Sequence, residues 1–352
     1  MKNKALPLTF GWRQAVRVMV REWDPRTATP AEFESLLDTL NAVLAADLPE
    51  DPPWQDSFLR EYQVETMPGE RRISWVAEDE SGHLPGHANV LLLGDIGVVE
   101  LFVHPSQRRT GLARTLLTKV VRRVYDEGFS AIGVEVVGGT PAVTFYESLG
   151  FAREYVETRS VLKLSTVDWL AVGETAGNVS NGYRLEYFPG GPPDELIEGY
   201  AVAKAAMRDV DDGDLDLRPS SYDPQRLRDS LACLHRRGMK PYIVLAIHER
   251  TGAVAGLTEV VVPAQHPTRA DQYDTIVVPD HRGYGIDRAL KARMLVELRS
   301  AEPRLTEVQT WNAPDNEPML KVNAELGFMA DREWYEYGAD VPELLHRLDP
   351  KT

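Results

Sequence analysis

The chain has 352 residues, of which 43% are hydrophobic and 26% charged, a composition typical of soluble globular proteins. Its net charge is −15 at pH 7, which disfavours nucleic acid and anionic membranes as partners and favours cationic small molecules, although excess acid also serves solubility. No apolar run approaches the length of a membrane span, and the first residues lack the sustained apolar region of a secretion signal. Because the single cysteine, Cys233, cannot form an internal disulfide, we expect a cytoplasmic protein.

The first quarter of the chain predicts a strand, a helix and a hairpin. Ala15–Trp23 alternates in part and is typical of a strand. Thr29 and Pro30 indicate the start of a helix, with Thr29 as its N-cap. Ile73–Glu78 and His87–Leu93 then predict the two arms of a hairpin, since turn-forming residues separate them.

The stretch from Val98 to Val124 predicts a strand, a tight basic turn and a helix. The helix is indicated by apolar residues at helical spacing, namely Leu112, Leu116, Val120, Val121 and Val124. A small-residue turn before a helix exposes unpaired N–H groups at the positive end of the helix dipole, and such a turn can bind pyrophosphate. A plain strand-to-helix connection with Gly111 as its turn residue is the alternative.

The rest of the first half predicts further alternation of helices and strands. After a helix end at Gly128, the pattern predicts a strand at Ala131–Val137, a short helix at Thr140–Leu149 and closing strands from Phe151 to Leu164. Residues 165–181 show little periodicity, so we place a domain boundary near residue 170, with domains at 1–169 and 170–352. The second half begins again with a strand and a helix and continues with a hairpin, predicted at Tyr183–Phe188, Pro193–Met207, Pro241–Ile247 and Val254–Val262.

The strand, turn and helix recur 174 positions later. Val103, Arg108 and Gly111 fall on Val277, Arg282 and Gly285, and the apolar positions of the helix repeat as Ile286, Leu290, Met294, Leu295 and Leu298. A second landmark, the Leu-Gly-Phe that ends at Phe151, recurs as the one that ends at Phe328. The chain is therefore predicted to be a tandem of two similar halves.

These residues resemble a known family. The Arg-x-x-Gly-x-Ala turn of residues 108–113 and the Phe-Tyr-Glu-x-Leu-Gly-Phe of residues 145–151 are similar to motifs of the GNAT superfamily of acyl-CoA-dependent N-acyltransferases, including its tandem members. The resemblance covers residues 98–151 and 272–328 well. It implies a mixed α/β (α+β) fold with two tandem GNAT-like domains, each a mixed, mostly antiparallel sheet flanked by helices.

The resemblance also implies where acetyl-CoA, the expected acyl donor, would bind. Backbone groups of Leu101, Phe102 and Val103 would pair with pantetheine, while the turn residues Arg108, Arg109, Thr110, Gly111, Leu112 and Ala113 would bind pyrophosphate. Arg114 or Lys119 would reach the remaining phosphate, unless they form only a solvated helix face. In the second half the corresponding cofactor-binding candidates are Val277, Arg282, Gly283, Gly285 and Asn316.

Two residues are the catalytic candidates. Tyr146 matches the family's usual general acid for the leaving thiolate, against the alternative of a buried packing tyrosine. Glu100 lies near where members often place the carboxylate that draws the amine proton through water, although one exposed acid on a strand is also common. Trp54, Phe58 and Tyr62 are candidates for contact with the acceptor or for the packing of an amphipathic helix.

The two halves differ at these positions. Asn323 and Asp287 of the second half replace Tyr146 and Ala113 of the first, and an amide cannot deliver a proton as a phenol can. We therefore predict an N-acetyltransferase with a small-molecule amine as acceptor and a catalytic N-terminal half, in a monomer or homodimer. A non-catalytic acyl-CoA-binding or ligand-sensing protein is the alternative. No metal site is predicted, because the histidines lack ligand spacing.

Overall fold

The computed structural model describes residues 18–206 and 222–349. The predicted start of the first strand at Ala15 and the predicted end of a helix at Met207 lie outside these ranges. In the described residues, no helix combines the length and the apolar character that a membrane span requires.

The first half of the chain places helices between the strands of a sheet. Its strands are β1 (Val18–Trp23), β2 (Arg71–Asp79), β3 (Gly86–Leu93), β4 (Ile96–Val103), β5 (Ala131–Val137) and β6 (Ala152–Lys163). Its helices are α1 (Pro30–Asp47), α2 (Asp56–Val64), α3 (Leu112–Asp126) and α4 (Pro141–Ser148).

The second half repeats this order of elements after an additional helix, α5 (Trp169–Gly177). Its strands are β7 (Tyr183–Pro189), β8 (Met239–His248), β9 (Val254–Pro263), β10 (Arg269–Val277), β11 (Glu307–Asn312) and β12 (Met329–Asp340). Its helices are α6 (Asp194–Ala205), α7 (Pro224–Arg236), α8 (Ile286–Ala301), α9 (Glu317–Leu326) and α10 (Val341–Leu348).

The strands of both described halves form one mixed, mostly antiparallel sheet. Its order is β1-β2-β3-β4-β5-β12-β6-β11-β10-β9-β8-β7. The last strand of the second half, β12, is thus inserted between β5 and β6 of the first, and β6 pairs with β11. The two halves exchange their final strands, so the edges that β5 and β6 would otherwise expose are paired. The boundary near residue 170 stays a prediction.

Local sequence explains why the helices form where they do. Thr29 caps α1 in a reciprocal capping box with Glu32, and Pro30 is its first residue, as predicted. The apolar stripe of α3 is buried as predicted, with Leu116, Val120 and Val121 fully inaccessible against the sheet. Helix α8 buries the corresponding stripe in the second half.

The core of the first half includes side chains of the second. Tyr337 of β12 and Val341 and Leu344 of α10 are at most 2% exposed and pack in the same cluster as the buried face of α3. In return, Leu162 of β6 is buried in the core of the second half. Each core is therefore completed by the other half of the chain.

Three elements differ from the sequence-based expectation. The closing strands expected between Phe151 and Leu164 are the single long strand β6, because it pairs with β12 on one side and β11 on the other. The weakly periodic stretch at the seam contains α5, which packs on α8 and buries Val172. Helix α10 was not predicted, although Asp340 caps it.

We expect Leu344→Ala to lower the free energy of unfolding by about 2–5 kcal/mol, because it removes a buried side chain from the core that α10 shares with α3. Urea denaturation followed by circular dichroism measures this loss. Leu170→Ala is the matched control, since Leu170 is 75% exposed and should cost little. Equal effects of the two substitutions would contradict the shared core.

Candidate active site

An opening in the sheet lies between β4 and β5. The two strands pair in parallel only from Ile96–Ala131 to Val99–Val134, although both extend beyond these residues. Leu101, Phe102 and Val103 therefore lie where β4 has left its neighbour, as the resemblance implied. Their backbone groups facing β5 are placed to pair with an extended ligand.

The second half has the same opening between β10 and β11. Their parallel pairing ends at Asp271–Gln309, whereas β10 continues to Val277. The candidate residue Val277 thus occupies the position of Val103.

The turn that follows β4 has an open concave surface at the start of α3. Arg109 and Gly111 adopt left-handed backbone conformations, with φ of 65° and 91°. A Cβ atom at Gly111 would meet nothing within 4 Å, so the space beside the first N–H groups of the helix is free. In the second half, Gly283 and Gly285 repeat both conformations with equally open surroundings. Both turns fit an anion at a helix N-terminus.

Arg108 supports the turn from behind. Its Nε donates to the carbonyl of Val103 at 3.4 Å, and its guanidinium forms two hydrogen bonds to Asp47 at 2.8 and 2.6 Å. Arg282 repeats the first contact, to Val277 at 3.1 Å. A direct bond from Arg108 to phosphate, as predicted, would require the guanidinium to leave Asp47.

The remaining turn residues take different positions. Arg109 and Thr110 are exposed, Leu112 is buried, and Ala113 is half-buried in the first turn of α3. Arg114 donates to the carbonyl of Arg347 in α10 at 2.6 Å, and so holds α3 to the exchanged helix. The predicted phosphate contact of Arg114 also stays a prediction.

The second turn differs in its capacity for an anion. The carboxylate of Asp287 accepts from the backbone N–H of Arg288 at 2.8 Å, so one N–H group at the start of α8 already has an anionic partner. Asn316 is likewise engaged, since its side chain accepts from the N–H of Met319 and caps α9.

Glu100 lies on the face of the sheet opposite α3. One of its carboxylate oxygens accepts from the hydroxyl of Tyr62, and the other accepts from the amide of Asn89 at 2.6 Å. Burial and the carboxylate of Glu100 raise the pKa of Tyr62 well above its ordinary value. The phenol therefore stays protonated and acts as a donor to Glu100.

An aromatic cluster and a buried amide lie beside Glu100. Trp54, Phe58 and Tyr62 form an aromatic cluster beside it, with ring centroids 4.5 and 5.4 Å apart. Asn89, which sequence reasoning missed, is a fully buried amide in an otherwise apolar stretch of β3. That exception in the apolar pattern was the available signal.

Tyr146 approaches from the opposite face of the sheet. It is 3% exposed in the core beneath α3 and α4, and its hydroxyl has no hydrogen-bond partner within the described structure. Burial raises the pKa of the hydroxyl above its ordinary value, so it carries a proton at neutral pH. An orphaned buried hydroxyl on the helix that follows β5 fits a ligand in the opening, such as a thioester sulfur.

Three more carboxylates extend the acidic surface from Glu100 across the exchanged strand. Glu135 of β5, Glu336 of β12 and Glu157 of β6 have carboxylate oxygens within 4.8 Å of one another. Partial desolvation and the neighbouring carboxylates raise the pKa of both Glu135 and Glu336 to about 7. Glu100 contributes to the shift of Glu135, which shows that the cluster adjoins it. Such a cluster attracts a cation.

The matching site of the second half is chemically different. Asp274, the counterpart of Glu100, accepts from the ammonium of Lys204, which also donates to Glu259 at 2.9 Å. Asn323, the counterpart of Tyr146, donates to Asn312 at 2.7 Å. The second half thus pairs its acid internally and has no phenol at the position of the expected proton donor.

Comparison with known proteins agrees with this geometry. Residues 37–151 match the model of the Acetyltransferase (GNAT) family. A tandem GNAT protein from the clavulanic acid biosynthesis pathway, solved without AcCoA, is 25% identical with a TM-score of 0.79, over 92% of this chain and 99% of that chain. The first half therefore contains a match to a GNAT domain, and the chain as a whole is similar to a tandem GNAT protein.

Two further comparisons agree with the GNAT fold. A curated relative named mycothiol acetyltransferase, from Saccharomonospora viridis, is 26% identical over 282 residues, which cover 74% of this chain and 83% of the relative. The solved structure of a GCN5-related N-acetyltransferase from Sphaerobacter thermophilus has a TM-score of 0.66 at 16% identity, over 92% of this chain and 96% of that one. The second likeness concerns the fold alone.

We expect Ala113→Asp to weaken acetyl-CoA binding at least about tenfold, or about 1.4 kcal/mol, because it gives the first turn the carboxylate that the second turn has at Asp287. Calorimetric titration measures the change. Asp287→Ala is the reciprocal control and should leave the affinity of the first turn for acetyl-CoA unaltered. Loss of binding in the control variant alone would mean that the second half holds the coenzyme.

Proposed function

We propose that this protein is an acetyl-CoA-dependent N-acetyltransferase that acetylates a small-molecule amine in its N-terminal half. The proposal is supported by Glu100, which lies just beyond the point where β4 leaves β5, and by the unpartnered hydroxyl of Tyr146 in the core on the other face of the sheet. Acyl transfer to an amine needs a proton acceptor on the side of the acceptor and a proton donor on the side of the leaving group. The name of the mycothiol acetyltransferase relative supports acetyl as the transferred group.

The acyl donor would be held by backbone groups. Leu101, Phe102 and Val103 would pair with pantetheine, and the turn ending at Gly111 would bind the pyrophosphate through the first N–H groups of α3. Acetyl-CoA supplies an activated thioester to this site. The first turn suits this role better than the second, since Asp287 already occupies an N–H group of α8.

Glu100 and Tyr146 then move the two protons. Glu100 takes the proton of the ammonium, directly or through water, before the neutral nitrogen attacks the thioester carbonyl. Tyr146 donates its hydroxyl proton to the thiolate that leaves when the carbon–sulfur bond breaks. The second proton that the nitrogen loses as the amide forms restores the hydroxyl of Tyr146. Tyr62 and Asn89 hold the carboxylate of Glu100 in place through their hydrogen bonds.

The acidic cluster supports a cationic acceptor. Glu135, Glu157 and Glu336 lie on the same face of the sheet as Glu100, next to the opening. An amine is a cation before it loses its proton, and concentrated negative charge raises its local concentration. The exchanged strand contributes Glu336, so the second half completes the proposed acceptor site.

Tyr146→Phe should lower kcat by about 10²–10³-fold, because it removes the proton donor and keeps the ring that packs in the core. KM and stability should change little, since the hydroxyl acts only as the thiolate develops. Steady-state kinetics that follow free thiol with a panel of amines test this expectation. Asn323→Ala, at the matching position, is the control. Full activity in Tyr146→Phe would refute the assignment, as would a loss confined to the control.

The KM for a cationic acceptor should fall as the pH rises from 6 to 8. The carboxyls of Glu135 and Glu336 have a pKa of about 7 and become charged over this interval, whereas an alkylamine stays protonated. Glu336→Gln should raise KM severalfold at pH 8 and flatten this dependence. Glu333→Gln, at an exposed position of the same strand, should retain the wild-type KM and its pH dependence. A pH profile of KM unaltered by Glu336→Gln would exclude the cluster from acceptor binding.

A further inference from the structure

A cavity lies in the C-terminal half, with Lys204 and Glu259 in its wall. It has a volume of about 140 Å³ and lies between α6, α7 and the sheet. Apolar and aromatic side chains supply most of its wall, among them Tyr200, Leu227, Leu231, Leu234 and Ile243. One wall residue, Met67, comes from the first half, where it follows α2.

One end of this cavity carries buried charge. Lys204 and Glu259 both line it and are only 7% and 8% exposed. The ammonium of Lys204 donates to Glu259 and Asp274, while the hydroxyl of Tyr200 donates to Glu259. Among the residues that the structure describes, two carboxylates thus share a single ammonium, and this end of the cavity has an excess of negative charge.

Arg226, another cation in the described part of the wall, does not offset this excess. Arg226 lines the cavity, but its guanidinium donates to the carbonyl of Pro68 at 2.6 Å and lies against Gly69. Its aliphatic part therefore faces the cavity while its charge is directed at the loop of the first half. Burial raises the pKa of Glu259, and Asp274 raises it further, against the opposite effect of Lys204.

We propose that this cavity is a second amine-binding site, which takes a small primary amine with a branched or cyclic apolar body. The ammonium group would hydrogen-bond to Glu259 beside Lys204, and the body would fill the apolar part up to Met67. The volume sets the size of the ligand, because a cavity of about 150 Å³ holds one benzene molecule. This site is independent of the proposed catalysis at Glu100.

The location gives such a ligand contact with both halves. The loop that carries Met67 is held by the second half, since Cys233 donates to the carbonyl of Thr66 at 3.2 Å and Arg237 donates to that of Glu65 at 2.7 Å. Met67 follows α2, the helix that presents Tyr62 to Glu100. The amine would therefore bind at the seam between the halves.

Isothermal titration with isoamylamine and its uncharged isostere isoamyl alcohol tests the proposal. The amine should bind at least about tenfold more tightly than the alcohol, because only the amine carries the charge that Glu259 and Asp274 attract. Glu259→Gln should remove this preference. Ser230→Leu, which fills the cavity from α7 and leaves the charged cluster intact, should abolish binding of both probes.

Asp229→Asn is the matched control, since Asp229 is an exposed acid on the same helix and should not affect binding. If Glu259→Gln fails to fold by circular dichroism, Ser230→Leu decides the question alone. Wild-type affinity in Ser230→Leu would overturn the proposal, as would equal affinities for amine and alcohol or no binding of either. Loss of acetyltransferase activity in a Glu100 variant has no bearing on this result.

Discussion

The insertion of β12 between β5 and β6 is the constraint on which the rest of the structure depends. Backbone hydrogen bonds on both sides of β12 join the halves into a continuous sheet. Tyr337 of the same strand is buried in the core of the first half. One edge of β5 pairs with β12 along the whole strand, whereas the other edge pairs with β4 only as far as Val134. The opening beside Glu100 is thus bordered by β4 and β5 of the first half, and β5 is in turn paired with β12 of the second.

The two halves share a backbone plan and differ in the chemistry placed on it. Both have a strand that leaves its parallel neighbour, a turn with left-handed residues and a helix that starts at an open N-terminus. In the first, the neutral side chains of Tyr62 and Asn89 donate to Glu100, and the hydroxyl of Tyr146 has no hydrogen-bond partner among the described residues. In the second, Asp274 is paired with Lys204 and Asp287 fills part of the turn. These contacts support the proposed placement of catalysis in the first half.

Sequence reasoning captured the features that depend on local constraints. Gly111 and Gly285 mark positions that need left-handed backbone, and the apolar stripes of α3 and α8 mark buried faces, so the repeat and the fold could be predicted. The strand exchange could not, because alternation along β6 and β12 shows which face is buried and does not identify the neighbouring strand. For the same reason the acidic cluster of Glu135, Glu157 and Glu336 was invisible, since its members come together only through that pairing. The pairing of Arg108 with Asp47 could not be predicted either, because the two residues are far apart in the sequence.

We propose that the first opening, between β4 and β5, receives the acyl donor. A crystal structure of the protein with CoA tests it most directly, because both openings are observed in one experiment. We expect CoA in the first opening, with its pyrophosphate at the turn that ends at Gly111 and its sulfur beside the hydroxyl of Tyr146. Electron density for CoA only between β10 and β11, with the first opening empty, would contradict it.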